Sequence, residues 1–149
     1  MARLRCMVWH SAPRPFVLPM TVISADIDDQ QIASNVAILS WMIRAAIVHS
    51  TELGYDWAAY RRLNSMFVVR RHEIDYRRPA LLGDRILLRT WPSLLKAATA
   101  HRMHELIRAS DGAVIAQGMN VWAYLDRTSG RPTRMPQELL EAFDPDLFL

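Results

Sequence analysis

The sequence is poor in residues on which several common functional sites depend. Cys6 is its only cysteine, so the chain can form no intrachain disulfide and has no cysteine cluster for zinc. Its five glycines form neither a dinucleotide-binding fingerprint nor a phosphate-binding loop. The Gly-x-Ser-x-Gly and His-Glu-x-x-His motifs are missing as well. These absences exclude the most easily recognised nucleotide-dependent enzymes, serine hydrolases and zinc proteases.

Long apolar runs are also missing. The longest, residues 36–48, is interrupted by Ser40 and Arg44 and is too short to cross a bilayer. Residues 1–20 contain several basic residues and prolines but no apolar run of signal-peptide length. Together with the single cysteine, this predicts a soluble cytoplasmic protein that needs no membrane partner.

The composition is that of an ordinary globular protein. The 149 residues are 51% hydrophobic and 22% charged, which predicts a single domain over residues 1–149, with residues 1–15 as an extended lead-in. Lys96 is the only lysine, so arginine supplies nearly all of the 18 basic residues. The net charge of +3 is small and the arginines are scattered, so we expect no nucleic-acid partner.

Turn residues and β-branched segments define the predicted elements. Residues 16–24 form a first strand, in which Pro19 favours an edge position. A helix over residues 36–51 is capped by Ser34 or Asn35 and ended by Gly54. A short helix is predicted at residues 56–63, four strands at residues 66–76, 85–91, 99–108 and 114–126, and a terminal helix at residues 136–143. Turns are predicted at Pro79 and Gly83-Asp84, at Pro92-Ser93 and at residues 110–112.

The central helix has an unusual composition. Between residues 36 and 48 only Ser40 and Arg44 are polar, and a helix that is apolar around most of its circumference is expected to be buried on nearly all sides. The later strands lack crossover helices, which favours antiparallel pairing. We therefore predict an α+β fold of order β-α-β-β-β-β, with a sheet wrapped around one central helix.

Two groups of side chains could carry chemistry. His101 and His104 lie three residues apart on a predicted strand, so they face opposite sides and cannot bind one metal ion; no metal site is predicted. The acidic residues Asp26, Asp28 and Asp29 precede the central helix. They either form a solvated turn at the positive helix end, or supply a carboxylate that attacks, or activates water to attack, a carbonyl polarised by the helix amides. Spacing alone leaves both interpretations open.

Several short motifs occur in order between about residues 22 and 136. They are Asp26-Ile27-Asp28 with Asn35 seven residues later, Leu53-Gly54-Tyr55, Tyr76-Arg77-Arg78-Pro79-Ala80-Leu81-Leu82-Gly83-Asp84, Gly112 with Trp122, and Asp126 with Thr128-Ser129-Gly130-Arg131-Pro132 and Pro136. With these motifs the chain resembles the hot-dog-fold acyl-CoA thioesterase superfamily, in the branch that includes the 4-hydroxybenzoyl-CoA thioesterases. The stretch from Tyr76 to Asp84 is similar to that family's Tyr-x-x-Pro-x-x-x-Gly-Asp turn.

The resemblance implies a fold, an activity and an assembly. It implies a hot-dog fold, in which a five-stranded antiparallel sheet curls around the long helix, and a homodimer or a homotetramer built from two dimers. It further implies hydrolysis of an acyl thioester, with coenzyme A or phosphopantetheine present only as part of the substrate and an acyl carrier protein as an alternative carrier. Asp28 is the implied nucleophile or general base, and helix amides near Asn35 would polarise the carbonyl.

The chain departs from the family's Asp-x-x-Gly-His-x-Asn-Asn stretch. Gln31 and Ile32 stand where the family has Gly and His, and Ser34 replaces the first Asn. We expect Gln31 to alter the path of the loop, because glycine adopts positive φ more readily than glutamine. Residues 36–50 contain no Asp or Glu, which argues against the branch that places its acid within the helix.

Other side chains are candidates for substrate contacts, although each also has an ordinary structural interpretation. The substrate-binding candidates are Gln31, Ile32, Trp41, Met66, Val68 and Tyr76. The candidates for contacting coenzyme A phosphates are Arg70, Arg71, Lys96 and Arg102.

Two other functions remain open. A hot-dog scaffold could bind an acyl thioester or a partner without turning it over, since a fold alone does not establish an activity. A dehydratase or hydratase would need an acid/base pair, and Ile32 removes the nearby histidine candidate. The sequence leaves the acyl group undefined.

Overall fold

The computed structural model describes residues 15–143. The strands are β1 Phe16–Thr21, β2 Ser65–Tyr76, β3 Arg85–Lys96, β4 Thr99–Arg108 and β5 Val114–Asp126. The helices are α1 Asn35–Glu52, α2 Trp57–Arg62 and α3 Gln137–Phe143, and a 3-10 turn at Ser24–Asp26 lies between β1 and α1. The predicted lead-in lies, apart from Pro15, outside the described residues.

All five strands join one antiparallel sheet in the order β1-β3-β4-β5-β2. Within residues 15–143 the six-residue β1 and the twelve-residue β2 are therefore its two edges. The predicted α+β fold, with an antiparallel sheet around one long helix, is confirmed. Pro19 lies in an edge strand as expected, although β1 ends at Thr21 and not at residue 24.

The predicted turn at Pro92-Ser93 is wrong. β3 continues through both residues to Lys96, and its pairing with β4 shifts register between Pro92 and Leu94. Proline cannot donate to a strand ladder, so it is tolerated where such an irregularity removes the need for its amide. The chain turns instead after Lys96, where Ala97 has a φ of +54°.

Helix α1 packs its small and large apolar residues against the sheet. The side chains buried in this cluster include Ile38, Trp41, Met42 and Ala45 from the helix and Ile86, Leu88, Leu106 and Ala116 from the strands. In β5, a Cβ added to Gly118 would lie only 2.8 Å from the Met42 Sδ. Glycine at this position lets the helix lie directly on the sheet.

One side of α1 remains uncovered in the chain. Val36 and Ile47 are 74% and 57% exposed, and the polar Ser40 and Arg44 lie on the same exposed side. The expectation of a helix buried on nearly all sides is therefore wrong for a single chain. The apolar residues of this side would be buried only against a further surface.

A second cluster closes the other end of α1. Tyr60, Tyr124, Met135 and Leu139 pack together there, with α3 supplying the last of them. Tyr124 donates its hydroxyl hydrogen to Ser65 Oγ at 2.6 Å. No helix within residues 15–143 is long and apolar enough to span a membrane.

Candidate active site

A tight loop before α1 holds Asp28. The Ser34 amide donates to the Asp26 carbonyl at 2.8 Å, and the Asp28 amide donates to the Ile32 carbonyl at 2.9 Å. These two bonds fold the loop back on itself and join it to Ser34, the residue that caps α1.

The Asp28 carboxylate is only partly engaged. It is half-buried, and its Oδ1 accepts a hydrogen bond from the Gln30 amide at 2.8 Å. Its Oδ2 has no hydrogen-bond partner within residues 15–143. One oxygen is thus fixed by the loop, while the other is available to a ligand or a water molecule.

The amino end of α1 offers two free backbone donors. Ser34 is the N-cap, and its Oγ accepts from the Ala37 amide at 3.0 Å. The amides of Asn35 and Val36 have no acceptor among the described residues, and both side chains are exposed. Free amides at the positive end of a helix stabilise an oxyanion.

Gln31 keeps the loop in a conformation that favours glycine. Its φ is +65°, in the left-handed region, and its amide donates to the Asp28 carbonyl at 3.0 Å. The expectation that Gln31 changes the loop's path through its resistance to positive φ is therefore not met. Glutamine adopts this φ at a cost of about 1 kcal/mol, which the surrounding hydrogen bonds offset.

Replacing Gln31 by glycine should relieve this cost. We expect Gln31→Gly to raise the free energy of unfolding, measured by urea denaturation, by up to about 1 kcal/mol. Gln30→Gly is the matched control, because Gln30 is equally exposed and lies outside the positive-φ residues. The control should lower stability by about 0.5–1 kcal/mol; equal effects at both positions would contradict this account.

The turn from Tyr76 to Asp84 supports the loop. The Ala33 amide donates to the Ala80 carbonyl at 2.8 Å, which joins the two segments. Arg108, on β4, donates from Nε to the Asp84 carboxylate at 2.9 Å and from Nη2 to the Pro79 carbonyl at 2.6 Å. The turn therefore holds the Asp28 loop in place through the hydrogen bond between Ala33 and Ala80. Arg108 stabilises this turn, and the sequence analysis did not identify it.

A cavity of about 320 Å³ lies between the second half of α1, the shorter helices and the sheet. Its wall is mainly apolar and includes Tyr60, Met66, Phe67, Trp122 and Phe143. An open groove runs along α1 beside it, lined by Leu39, Ser40, Ile43, Arg44, Ile47 and His72. Ile43 and Ile47 belong to both walls, so the groove and the cavity are adjacent along the helix.

The predicted substrate-binding residues lie in different places. Met66 lines the cavity, whereas Trp41 is buried in the main core and Val68 lies outside the cavity wall. Gln31 and Ile32 belong to the Asp28 loop. The sixth, Tyr76, is half-exposed at the end of β2, far along the strand from Met66.

The four candidates for phosphate contacts also differ in their exposure to solvent. Arg70, Arg71 and Lys96 are exposed, and Arg71 forms an ion pair with Glu73. Arg102 is only 6% exposed and points between α1 and the sheet. A buried position does not suit a contact with phosphates in solvent.

A buried polar chain crosses the sheet behind the groove. His104 Nε2 is hydrogen-bonded to Asn120 Oδ1, and Asn120 Nδ2 lies 2.8 Å from His72 Nδ1. His104 and Asn120 are fully buried, whereas His72 reaches the groove beside α1. Burial, followed by the charge of Arg102, lowers the pKa of His104 to about 3, so this histidine is neutral near pH 7. Only the tertiary pairing of β4, β5 and β2 brings these residues together.

Within the described residues no group of three or more His, Cys, Asp or Glu side chains is arranged to hold a metal ion. The polar groups at the start of α1 that could act on a substrate are the Asp28 carboxylate and the Asn35 and Val36 amides.

Comparison with known proteins identifies the fold and the family. In solved structures the chain is similar to a 1,4-dihydroxy-2-naphthoyl-CoA thioesterase from Synechocystis, with a TM-score of 0.82, 18% identity, and coverage of 91% of this chain and 99% of that one. It is similar to a hypothetical protein from Staphylococcus aureus in complex with CoA, with a TM-score of 0.82, 14% identity, and coverage of 87% and 81%. A probable thioesterase from Escherichia coli has a TM-score of 0.73, 21% identity, and coverage of 85% and 94%.

At sequence identities this low, the structural similarity shows a shared fold. No curated protein matches the chain. A sequence model described as the thioesterase-like superfamily matches residues 22–143, which include every element except β1. The chain therefore belongs to the thioesterase-like superfamily, and the resemblance seen in its motifs is confirmed.

Proposed function

We propose that the protein is a thioester hydrolase that acts on acyl-CoA or on an acyl group carried by an acyl carrier protein. The observation that supports the proposal is the Asp28 carboxylate on a loop that leads into the start of α1. Among residues 15–143, its Oδ2 and the Asn35 and Val36 amides have no hydrogen-bond partner. A base or nucleophile next to oxyanion donors is the minimum that thioester hydrolysis requires, because a thiolate is a good leaving group.

In this proposal Asp28 acts as general base or nucleophile. As a base, it takes a proton from water, and the resulting hydroxide adds to the thioester carbonyl carbon. The negative charge on the carbonyl oxygen is stabilised by the Asn35 and Val36 amides. The carbon–sulfur bond then breaks, the acid is released, and the thiolate leaves with its electron pair and takes up a proton. As a nucleophile, the carboxylate would add to the carbonyl carbon and the carbon–sulfur bond would break with release of the thiolate. Water would then hydrolyse the resulting mixed anhydride to the free acid and the Asp28 carboxylate.

The test is thiol release from a panel of acyl-CoAs with aromatic, short and long aliphatic acyl groups. We expect release from at least one of them at a rate well above that without protein. Binding of acyl-CoAs without any thiol release would overturn the proposal and favour a non-catalytic binding protein. The same panel would define the acyl group.

We also propose a homodimer formed through β2 and the uncovered side of α1. β2 is a twelve-residue edge without a described partner, and Val36 and Ile47 expose apolar surface on α1. Pairing two copies along β2 would satisfy the edge and bury this surface. Light scattering should give twice the mass of the 17.1 kDa chain or a multiple of it; a monomer at micromolar concentration would contradict the proposal.

A further inference from the structure

A buried arginine lies in the wall of the apolar cavity. Arg102 is on β4, is 6% exposed, and donates from Nη1 to His49 Nδ1 at 3.0 Å and to Thr90 Oγ1 at 3.2 Å. Its guanidinium lies 5.7 Å from the centre of the Phe143 ring. Both hydrogen-bond acceptors are neutral groups.

No carboxylate within residues 15–143 forms an ion pair with Arg102. Burial lowers the pKa of Arg102 to about 10, so the guanidinium stays protonated at pH 7. Burial and the charge of Arg102 lower the pKa of His49 to about 4, so His49 is neutral and can accept the hydrogen bond. The described part of the protein thus buries one positive charge and supplies no negative charge to match it.

Burial of a guanidinium without a carboxylate partner lowers the stability of the fold unless a negatively charged group binds to it. A buried charge is normally paired, because desolvation costs several kcal/mol that neutral partners repay only in part. An arginine has five N–H donors in a planar fork that matches a carboxylate. Only Nη1 is engaged here, so the Nε and Nη2 donors have no acceptor within the described range.

The position of the groove relative to the cavity indicates a path along which an anionic group could reach Arg102. The groove begins at Leu39, about one helical turn beyond Asn35, and shares Ile43 and Ile47 with the cavity that contains Arg102. From Leu39 to His49, which contacts Arg102, the helix rises by about 15 Å. An acyl chain whose thioester lies at the start of α1 would therefore follow this groove, which is lined by both apolar and polar side chains, into the apolar cavity and end at the guanidinium.

We propose that the cavity binds an acyl group whose far end carries a carboxylate, and that Arg102 pairs with this carboxylate. The proposal rests on the function proposed above and narrows its substrate class to thioesters of dicarboxylic acids, in which one carboxyl forms the thioester and the other remains free. Neighbouring hydroxyls of Ser50 and Tyr60, hydrogen-bonded to each other at 2.7 Å, complete the polar end of the cavity.

The experiment compares a series of ω-carboxyacyl-CoAs with acyl-CoAs of the same chain length that end in a methyl group. We expect the intact protein to prefer the ω-carboxyl series by at least about tenfold in kcat/KM, since a hydrogen-bonded charge pair contributes about 1.5–3 kcal/mol. Arg102→Met should abolish this preference or favour the methyl series. Arg102→Lys, which keeps the charge and loses the planar fork, should retain part of it, and Arg85→Met, which removes an exposed arginine, should retain all of it.

Direct binding separates this proposal from the proposed activity. The free dicarboxylic and monocarboxylic acids of equal length are titrated calorimetrically into the native protein and the variants, with circular dichroism to confirm folding. If no thioester is hydrolysed but the diacid binds through Arg102, the proposed hydrolase activity is wrong and the carboxylate-binding role of Arg102 is supported. If thioesters are hydrolysed without preference for a terminal carboxylate, the activity stands and this inference is overturned.

A carboxylate from the chain itself is the competing occupant. Asp144 and Asp146 follow α3 in the sequence and lie outside the described residues. Should the native chain show no preference, while the double variant Asp144→Asn with Asp146→Asn gains one, the cavity is filled by the protein's own acid and the proposed substrate class is wrong.

Discussion

Asp28→Asn is expected to lower kcat for thiol release by about two to four orders of magnitude while leaving acyl-CoA binding nearly unchanged. Asparagine has the shape of aspartate, and its carbonyl oxygen can still accept the hydrogen bond from the Gln30 amide. The loop and the helix amides are therefore preserved. What is lost is the negative charge that takes the proton from water or attacks the thioester carbonyl.

The measurement is steady-state thiol release on the best substrate of the panel, together with calorimetric titration of the product CoA. Asp29→Asn is the matched control, because Asp29 is the adjacent, exposed carboxylate of the same loop. We expect the control to change kcat by less than about threefold. Equal losses in the two variants would point to the charge of the loop as a whole and would remove Asp28 from its proposed role.

Acid should destabilise the fold well before its carboxylates are protonated. The pKa of the His104 side chain is lowered from 6.5 to about 3 in the folded protein, mainly by burial. The unfolded chain therefore binds one more proton than the folded one between these values, and stability falls as the pH drops below about 6.5. From pH 7 to pH 5 this one histidine should lower the free energy of unfolding by about 2 kcal/mol. His49, whose pKa is lowered to about 4, acts in the same direction.

The effect of His104 can be isolated by urea unfolding at the two pH values. His104→Gln removes the titrating group, so the loss of stability between pH 7 and pH 5 should shrink by about 2 kcal/mol, whatever the variant's absolute stability. Hydrogen bonds lower the pKa of Asp111 and Asp126, but their contribution is lost only below about pH 4. An unchanged pH dependence in the variant would show that His104 is not the group responsible.

The sequence predicts the fold well where local chemistry determines it. Ser34 caps α1 and Gly54 follows its end with a φ of +91°, as predicted, because these residue types are preferred at helix ends. Turn residues and β-branched segments likewise locate the strands. The local rule fails at Pro92, because a bulge in β3 accommodates the proline and the strand continues.

The site is less predictable because its contacts join distant segments. The roles of Asp28 and Asn35 stay predictions, supported by the loop geometry. Arg102 looks like any surface arginine in the sequence, and only the packing of α1 over β4 buries it. His104 and Asn120 lie on separate strands, and their contact depends on the register of β4 with β5. No periodicity or spacing within one segment contains this information.

The two edge strands of the sheet differ in how well they can pair with a strand from a further copy. β1 is short, and at its centre Pro19 has no backbone hydrogen to donate, so a further copy would find an incomplete template there. β2 is twice as long and contains no proline, so each of its outward-facing amides can donate to a further strand. If copies associate by extending the sheet, β2 is the favoured side, and pairing along it would give a closed two-fold pair. We therefore expect the proline in the first strand to disfavour growth of the sheet at that edge, which is a route to filaments.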